Sequence, residues 1–226
     1  MKYSILETVP IFSELEQDEL EKIADVMQKR TYPKNKIILM EEDEGDTMFI
    51  IDTGSVKITR ISEDGREVIL SMLGEGEFFG EMSIFDGEAR SANVITLEES
   101  AVFILKRADF LHILERYPKI SITLLEELAM RLRKSDQLIE SLSLGDAENR
   151  IGLMLLRIAE ETGVYKSGNV VIENLPYQQD IANMAGTSRE TVSRTLKSME
   201  DKGLISKSGH TLTINNYDQF KDSFMK

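Results

Sequence analysis

The hydrophobic positions change their period twice along the chain, which predicts three kinds of segment. Residues 14–29 carry apolar side chains at helical spacing and predict one helix. Residues 31–106 hold short runs of β-forming residues separated by turn residues, and Asp64-Gly65 between two of these runs is a hairpin signal. Many short strands with frequent turns predict a β-sandwich or a barrel. The predicted strands are Lys36–Met40, Met48–Asp52, Ser55–Ile61, Glu67–Met72, Ala92–Leu97 and Ala101–Lys106.

Residues 118–144 return to the helical period, with a seam of positions separated by alternating steps of four and three. Such a seam is typical of a two-stranded coiled coil, and we favour a homodimer over a helix that packs on its own β-domain. Ser135 is polar, and a polar seam residue usually sets register or contacts something. The seam consists of Ser121, Leu125, Leu128, Leu132, Ser135, Ile139 and Leu142.

A hinge is predicted directly after the seam. Gly145 is a helix stop, and Asp146 can cap the N-terminus of a new helix. We therefore expect three parts: an N-terminal domain at 1–116, a dimerisation helix at 117–144 and a C-terminal domain at 145–226.

The C-terminal part has the spacing of a helix-turn-helix. Residues 177–185 predict a short helix, Ser188 can cap the next helix, and residues 189–200 bury an apolar stripe. Leu204–Ser206 and Thr211–Ile214 flank a turn and predict a hairpin that would form a wing.

The second of these helices places polar side chains on the face opposite its apolar stripe. Arginine can bond guanine bidentately, and glutamate can accept from the cytosine amine. A solvated charged face is the alternative, but the cap, turn and wing all agree with DNA reading. The candidate DNA contacts are Gln179, Ser188, Arg189, Glu190, Ser193, Arg194 and Lys197.

A second constellation, at residues 78–92, suits a phosphodiester. Gly80 permits close backbone approach, residues 81–85 predict one helical turn, and Arg90 follows on what we expect to be the next strand. Arg90 would supply a cation for the phosphate, and Glu81 an acceptor for a ribose hydroxyl. The alternative is a buried Arg90–Glu81 pair that braces a loop. Met82 and Ser91 complete the candidate site.

The composition excludes several classes of functional site. The 226 residues include no Cys and only two His, which excludes thiolate metal sites, iron–sulfur clusters and cysteine nucleophiles. No targeting segment and no membrane span is visible, so a cytoplasmic protein without a membrane partner is expected. The net charge of -13 argues at first against DNA. However, residues 176–226 carry seven basic and six acidic side chains, so the acidity lies elsewhere.

Ser188-Arg189-Glu190-Thr191-Val192-Ser193-Arg194 resembles the recognition helix of the CRP/FNR family of bacterial transcription regulators. The segment from Phe78 to Ala92 is similar to the phosphate-binding cassette of cyclic-nucleotide-binding domains. The resemblance implies an α+β fold with a jelly-roll-like β-roll, a long dimer helix and a winged helix-turn-helix. It further implies a TGTGA-like palindrome in double-stranded DNA and RNA polymerase as a protein partner.

As effector, the resemblance implies a cyclic nucleotide, with cAMP preferred and cGMP the other candidate. Ser135 falls where the family meets the adenine amine, and Asp136 where the partner chain normally supplies a serine. Asp136 therefore keeps a different effector, or none, open. A cyclic-nucleotide-binding interaction protein without DNA binding is the other alternative. No catalytic residue set, metal site or haem site is expected.

Overall fold

The computed structural model describes residues 5–225, and the chain divides into two compact units between Arg133 and Lys134. The N-terminal unit opens with two 3-10 turns, Leu6–Thr8 and Pro10–Phe12, followed by helix α1, Gln17–Asp25. Its strands are β1 Gln28–Tyr32, β2 Ile37–Leu39, β3 Thr47–Thr53, β4 Val56–Ile61, β5 Glu67–Leu73, β6 Phe78–Phe79, β7 Asn93–Thr96 and β8 Ser100–Lys106. Helix α2, Met82–Asp86, lies between β6 and β7, and α3, Arg107–Arg116, follows β8.

The strands form two four-stranded antiparallel sheets, in the orders β1-β8-β3-β6 and β2-β7-β4-β5. Central strands β3 and β8 are buried along most of their length, as expected for strands covered on both faces. Phe12, Ile50 and Phe110 belong to one apolar cluster that joins the N-terminal turns and α3 to the sheet. This antiparallel β-roll confirms the predicted fold class.

Local differences from the prediction have long-range causes. The helix expected over 14–29 ends at Asp25, because Gln28–Tyr32 pairs with β8 as an edge strand. Strand β6 was not predicted, and its two residues pair with Phe49 and Ile50 of β3. The Asp64-Gly65 hairpin is confirmed, with Ile61 opposite Glu67 across the turn.

Helix α4 runs from Pro118 to Leu144 and crosses the boundary between the units. Ile120 and Leu124 in its first turns are buried in the cluster that contains Phe110. Within residues 5–225, no helix is both long enough and apolar enough to cross a membrane.

The C-terminal unit contains α5 Ala147–Thr162, α6 Gln178–Ala185, α7 Arg189–Asp201 and α8 Tyr217–Phe224. Its strands, β9 Val164–Lys166, β10 Asn169–Ile172, β11 Ile205–Ser208 and β12 Thr211–Ile214, form one antiparallel sheet in the order β11-β12-β10-β9. The predicted wing is therefore present, with Gly209-His210 as its turn. The Asp146 carboxylate accepts a hydrogen bond of 2.8 Å from the backbone N–H of Asn149, which confirms the predicted cap of α5. Strands β9 and β10 and helix α8 were not predicted.

Candidate anion site and nucleic-acid interface

The Arg90 side chain lies in a cradle of backbone oxygens inside the N-terminal unit. It is 5 % exposed, and its guanidinium donates to the Gly80 carbonyl at 2.7 Å and to the Thr47 carbonyl at 2.8 Å. Gly80 has φ +80°, and a Cβ there would lie 2.9 Å from Arg90 Nη1. Glycine is therefore required at position 80 for both backbone conformation and space.

The Arg90 guanidinium has donors to spare. A guanidinium offers five N–H groups in a planar fork. The buried Nε of Arg90 has no hydrogen-bond partner. Burial lowers the pKa of Arg90, and the nearby carboxylates of Asp46, Glu81 and Asp43 oppose that shift. Arginine stays charged in proteins, so this is a desolvated cation with an unsatisfied donor. Such a group suits an anion that accepts from several N–H groups at once.

The backbone around Arg90 holds this cation in place. The Arg90 amide donates to the Asp43 carbonyl at 2.8 Å, and the Glu42 amide donates to the Arg90 carbonyl at 2.9 Å. Arg90 thus precedes β7 in a loop, and our expectation that it lies on a strand is wrong. The physical reason is that these two bonds tie it to the loop before β3 instead of to a sheet partner.

Glu81 has a different partner from the one the sequence suggests. Its carboxylate lies 3.1 Å from the Arg131 guanidinium on α4, which also donates to the Phe78 carbonyl at 2.7 Å. The alternative of an Arg90–Glu81 ion pair is therefore wrong. Glu81 is 4 % exposed, and burial raises its pKa against the opposing effect of Arg131. Sequence reasoning missed Arg131, because its only signal is a basic residue on a face of α4 away from the seam.

The remaining predicted ligand residues fall into two groups. Ser91 Oγ lies 3.7 Å from Met82 Sδ, and both side chains are exposed beside the Arg90 cradle. Ser135 and Asp136 are exposed on the part of α4 that belongs to the C-terminal unit. The structure thus brings together Gly80, Glu81, Met82, Arg90 and Ser91.

Helix α7 begins as the sequence predicts. Ser188 Oγ accepts from the Thr191 amide at 3.2 Å and caps the helix. Val192, Leu196 and Met199 are buried, as predicted for the inner stripe. The opposite face exposes Arg189, Glu190, Ser193 and Arg194.

The exposed face of α7 combines two arginines, Arg189 and Arg194, with one carboxylate, Glu190. Hydrogen bonds from its own backbone amide and from Ser188, helped by Arg189 and Arg194, hold the pKa of Glu190 below its usual range. Glu190 is therefore an ionised acceptor at neutral pH. Lys197 lies 2.9 Å from Asp201, which already engages its ammonium. Gln179 on α6 is exposed and donates to Asn183 at 2.9 Å.

A cleft of about 380 Å³ lies beside the start of α7 and is bordered on one side by the wing. Arg189 and Lys207 line it, as do Tyr177 and His210, whose rings meet edge to face at 5.3 Å between centroids. Of these four residues, only Arg189 was predicted as a DNA contact. The signal for Lys207 was its place on the predicted wing.

The seam of α4 is largely exposed on a single protomer. Leu125, Leu132 and Ile139 are each exposed by more than 60 %. Leu128 differs, since it is partly buried and packs on the core cluster of its own N-terminal unit. The other apolar seam residues, Leu125, Leu132, Ile139 and Leu142, form an exposed stripe of the kind that is buried between the helices of a coiled coil.

An anion cradle in a β-roll and a capped reading helix in a winged domain together define a ligand-binding, DNA-binding regulator. Residues 29–117 match the family model described as cyclic nucleotide-binding domain, and residues 149–223 match the Crp-like helix-turn-helix domain.

Curated relatives agree with the two domain matches. The chain is 34 % identical over 196 residues to the cyclic AMP receptor protein of Thermus thermophilus, covering 87 % of this chain and 88 % of that protein. It is 31 % identical over 215 residues to the CRP-like cAMP-activated global transcriptional regulator of Mycobacterium tuberculosis, covering 95 % and 96 %. This protein belongs to the CRP/FNR family of transcription regulators.

A solved structure supports the fold. The c-di-GMP responsive global regulator CLP of Xanthomonas campestris superposes with a TM-score of 0.75 at 24 % identity. The match covers 88 % of this chain and 99 % of that chain.

Proposed function

We propose that this protein is a homodimeric transcription regulator that reads a TGTGA-like palindrome and is gated by a cyclic nucleotide. The observation that carries the DNA proposal is the capped helix α7, with Arg189, Glu190 and Arg194 exposed near its first turns. Arginine and glutamate in this position can read guanine and cytosine edges in the major groove. Two such helices on a symmetric dimer read half-sites about 34 Å apart.

The effector proposal depends on the Arg90 cradle. A buried cation with a free donor suits the single charge of a cyclic phosphodiester, and the buried Glu81 carboxylate suits a ribose hydroxyl. The two relatives described above are named for cyclic AMP, which favours that nucleotide over cyclic GMP. We assign the base contact to Ser135 and to Asp136 of the other protomer. An acceptor at Asp136 suits the adenine amine but also the guanine ring nitrogen and amine.

Gating requires an element with two states. We assign this role to the seam of α4 and to the hinge at Gly145 and Asp146, which separates α4 from α5. We further propose the boundaries 1–116, 117–144 and 145–226 for sensor, dimer helix and reader. RNA polymerase is the protein partner that this role implies.

Fluorescence anisotropy with a TGTGA-N6-TCACA duplex and a shuffled duplex, each with and without cAMP or cGMP, tests the proposal. We expect tight binding of the palindrome that one of the nucleotides strengthens. Equal affinity for both duplexes under all conditions would refute DNA reading. Preference for the palindrome without any nucleotide effect would refute only the gating by these effectors.

A further inference from the structure

Arg150, near the start of α5, connects two places that are far apart in sequence. Its Nη1 donates to the Gly145 carbonyl at 2.8 Å, and its Nε donates to the Ala185 carbonyl at 2.8 Å. A longer contact of 3.4 Å joins its Nη2 to the Gly186 carbonyl. One guanidinium therefore contacts the hinge after α4 and the turn between α6 and α7.

Helix ends explain why an arginine fits there. The last carbonyls of a helix have no partner within the helix, and they form the negative end of its dipole. Gly145 directly follows α4, and Ala185 is the last residue of α6. The Arg150 cation thus satisfies the C-terminal ends of two different helices. A lysine does this less well, because its donors all sit on one nitrogen instead of in a planar fork.

The turn that Arg150 holds sits directly before the reading helix. Gly186 has φ +59°, and a Cβ there would lie 2.9 Å from Leu142 Cδ2 at the end of α4. The Thr187 amide then donates to the Ala182 carbonyl at 3.0 Å, and Ser188 caps α7. The position of this turn therefore sets where α7 begins, and with it where Arg189 and Glu190 lie.

We propose that Arg150 is a positioning residue that locks the helix-turn-helix turn to the hinge, so that the placement of α7 follows the end of α4. This inference rests on the proposed DNA reading. It assigns to Arg150 no contact with DNA, and its effect passes through Gly186 and the start of α7.

Arg150→Ala and the control Arg157→Ala in the full chain test this assignment. Arg157 lies on the same helix and pairs with Glu161 four residues further along it, so both variants lose one positive charge. The measured quantity is the ratio of affinities for the palindrome and a shuffled duplex. General destabilisation lowers both affinities equally, whereas a misplaced α7 lowers the ratio. We expect a drop of about tenfold for Arg150→Ala and less than about twofold for Arg157→Ala.

Amide hydrogen exchange without DNA provides a second measurement. We expect exchange at Thr187 to rise about tenfold in Arg150→Ala, and less in Arg150→Lys, with no change in the wing strands. Arg150→Lys also serves if the alanine variant fails to fold. Unchanged exchange at Thr187 in both Arg150 variants overturns the lock. If wild-type protein shows no preference for the palindrome, the proposed function fails, and the exchange result alone decides the role of Arg150.

Discussion

The Glu81 carboxylate lies 3.1 Å from the Arg131 guanidinium, although the two residues are 50 positions apart in the chain. This pair joins the start of α2 in the β-roll to α4. The Arg131 guanidinium also lies over the Phe78 ring, 4.4 Å from its centroid. The acceptor that we assign to a ribose hydroxyl is thus held by the same helix that carries the dimer seam.

The burial of Glu81 makes the free energy of unfolding depend on pH in a predictable direction. Burial raises the pKa of Glu81 in the folded state, so ionisation favours the unfolded chain. The stabilisation from the protonated Glu81 side chain is fully present below the ordinary glutamate pKa of about 4.3. It is lost as the pH rises through the pKa of Glu81 in the folded state. We expect the free energy of unfolding of wild type, relative to Glu81→Gln, to fall as pH rises from about 4 to about 8.

Urea unfolding across this pH series measures that difference, with Glu21→Gln as the control at an exposed glutamate. A wild-type advantage that grows with pH would mean that Arg131 outweighs burial. The direction assigned to the Glu81 pKa would then be wrong.

Arg90 is expected to carry nucleotide binding. Arg90→Ala removes the buried cation, and we expect isothermal titration calorimetry to show at least about a hundredfold loss of affinity for the bound nucleotide. Arg60→Ala removes an exposed arginine of the same unit, paired with Glu41, and should bind normally. Equal nucleotide affinity of wild type and Arg90→Ala would contradict the cradle.

Gly45 tests the packing of the same cradle. A Cβ at Gly45 would lie 2.3 Å from Arg90 Nε, so Gly45→Ala must displace the guanidinium. We expect weaker nucleotide binding and a loss of about 1–3 kcal/mol in the free energy of unfolding. Gly74→Ala, with no atom within 4 Å of its Cβ, should change neither quantity. Calorimetry and urea unfolding of the two variants provide the comparison.

Arg189 is expected to contribute base reading. Arg189→Ala should cost about 1–3 kcal/mol per half-site and relax selection at one base pair, because a bidentate guanine contact is lost. Binding to a set of single-base variants of the palindrome measures both effects. Lys221→Ala removes a positive charge of α8 that pairs with Glu160 of α5, and it should leave base selection unchanged. Loss of the same base preference in both variants would argue against direct reading.

The exposed seam predicts the oligomeric state. Leu132 is 63 % exposed on the seam, and Leu132→Glu would place a charge in the dimer contact. We expect sedimentation velocity to show a shift from dimer to monomer. Leu144 is more exposed, at 82 %, but lies off the seam, so Leu144→Glu should stay dimeric. A dimeric Leu132→Glu variant would place the interface elsewhere.

The sequence alone predicted the elements whose signals are local. Short β-rich runs and the Asp64-Gly65 turn predicted an antiparallel β-domain, a sandwich or a barrel, and the resemblance narrowed this to a β-roll. Ser188 and Asp146 marked helix starts through caps that span three residues. The net charge of -13 at first argues against DNA binding. The excess of acidic residues lies outside residues 176–226, so this argument does not apply to the DNA-binding part. The charge instead suggests weak non-specific binding and reliance on base contacts.

The tertiary structure decided every pairing between distant residues. The first two residues of β1 fall inside the predicted helix over 14–29, and only the pairing with β8 shows that they belong to a strand. Strand β6 has two residues, too few for a sequence signal, and it is defined by its pairing with β3, where Phe79 stacks on Phe49. Glu81 is paired with Arg131, and Arg150 with the Ala185 carbonyl. Local sequence encodes caps, turns and periodicity because these depend on neighbours within a few residues. Partners 30 or more positions away meet only after the chain has packed, so only the folded structure identifies them.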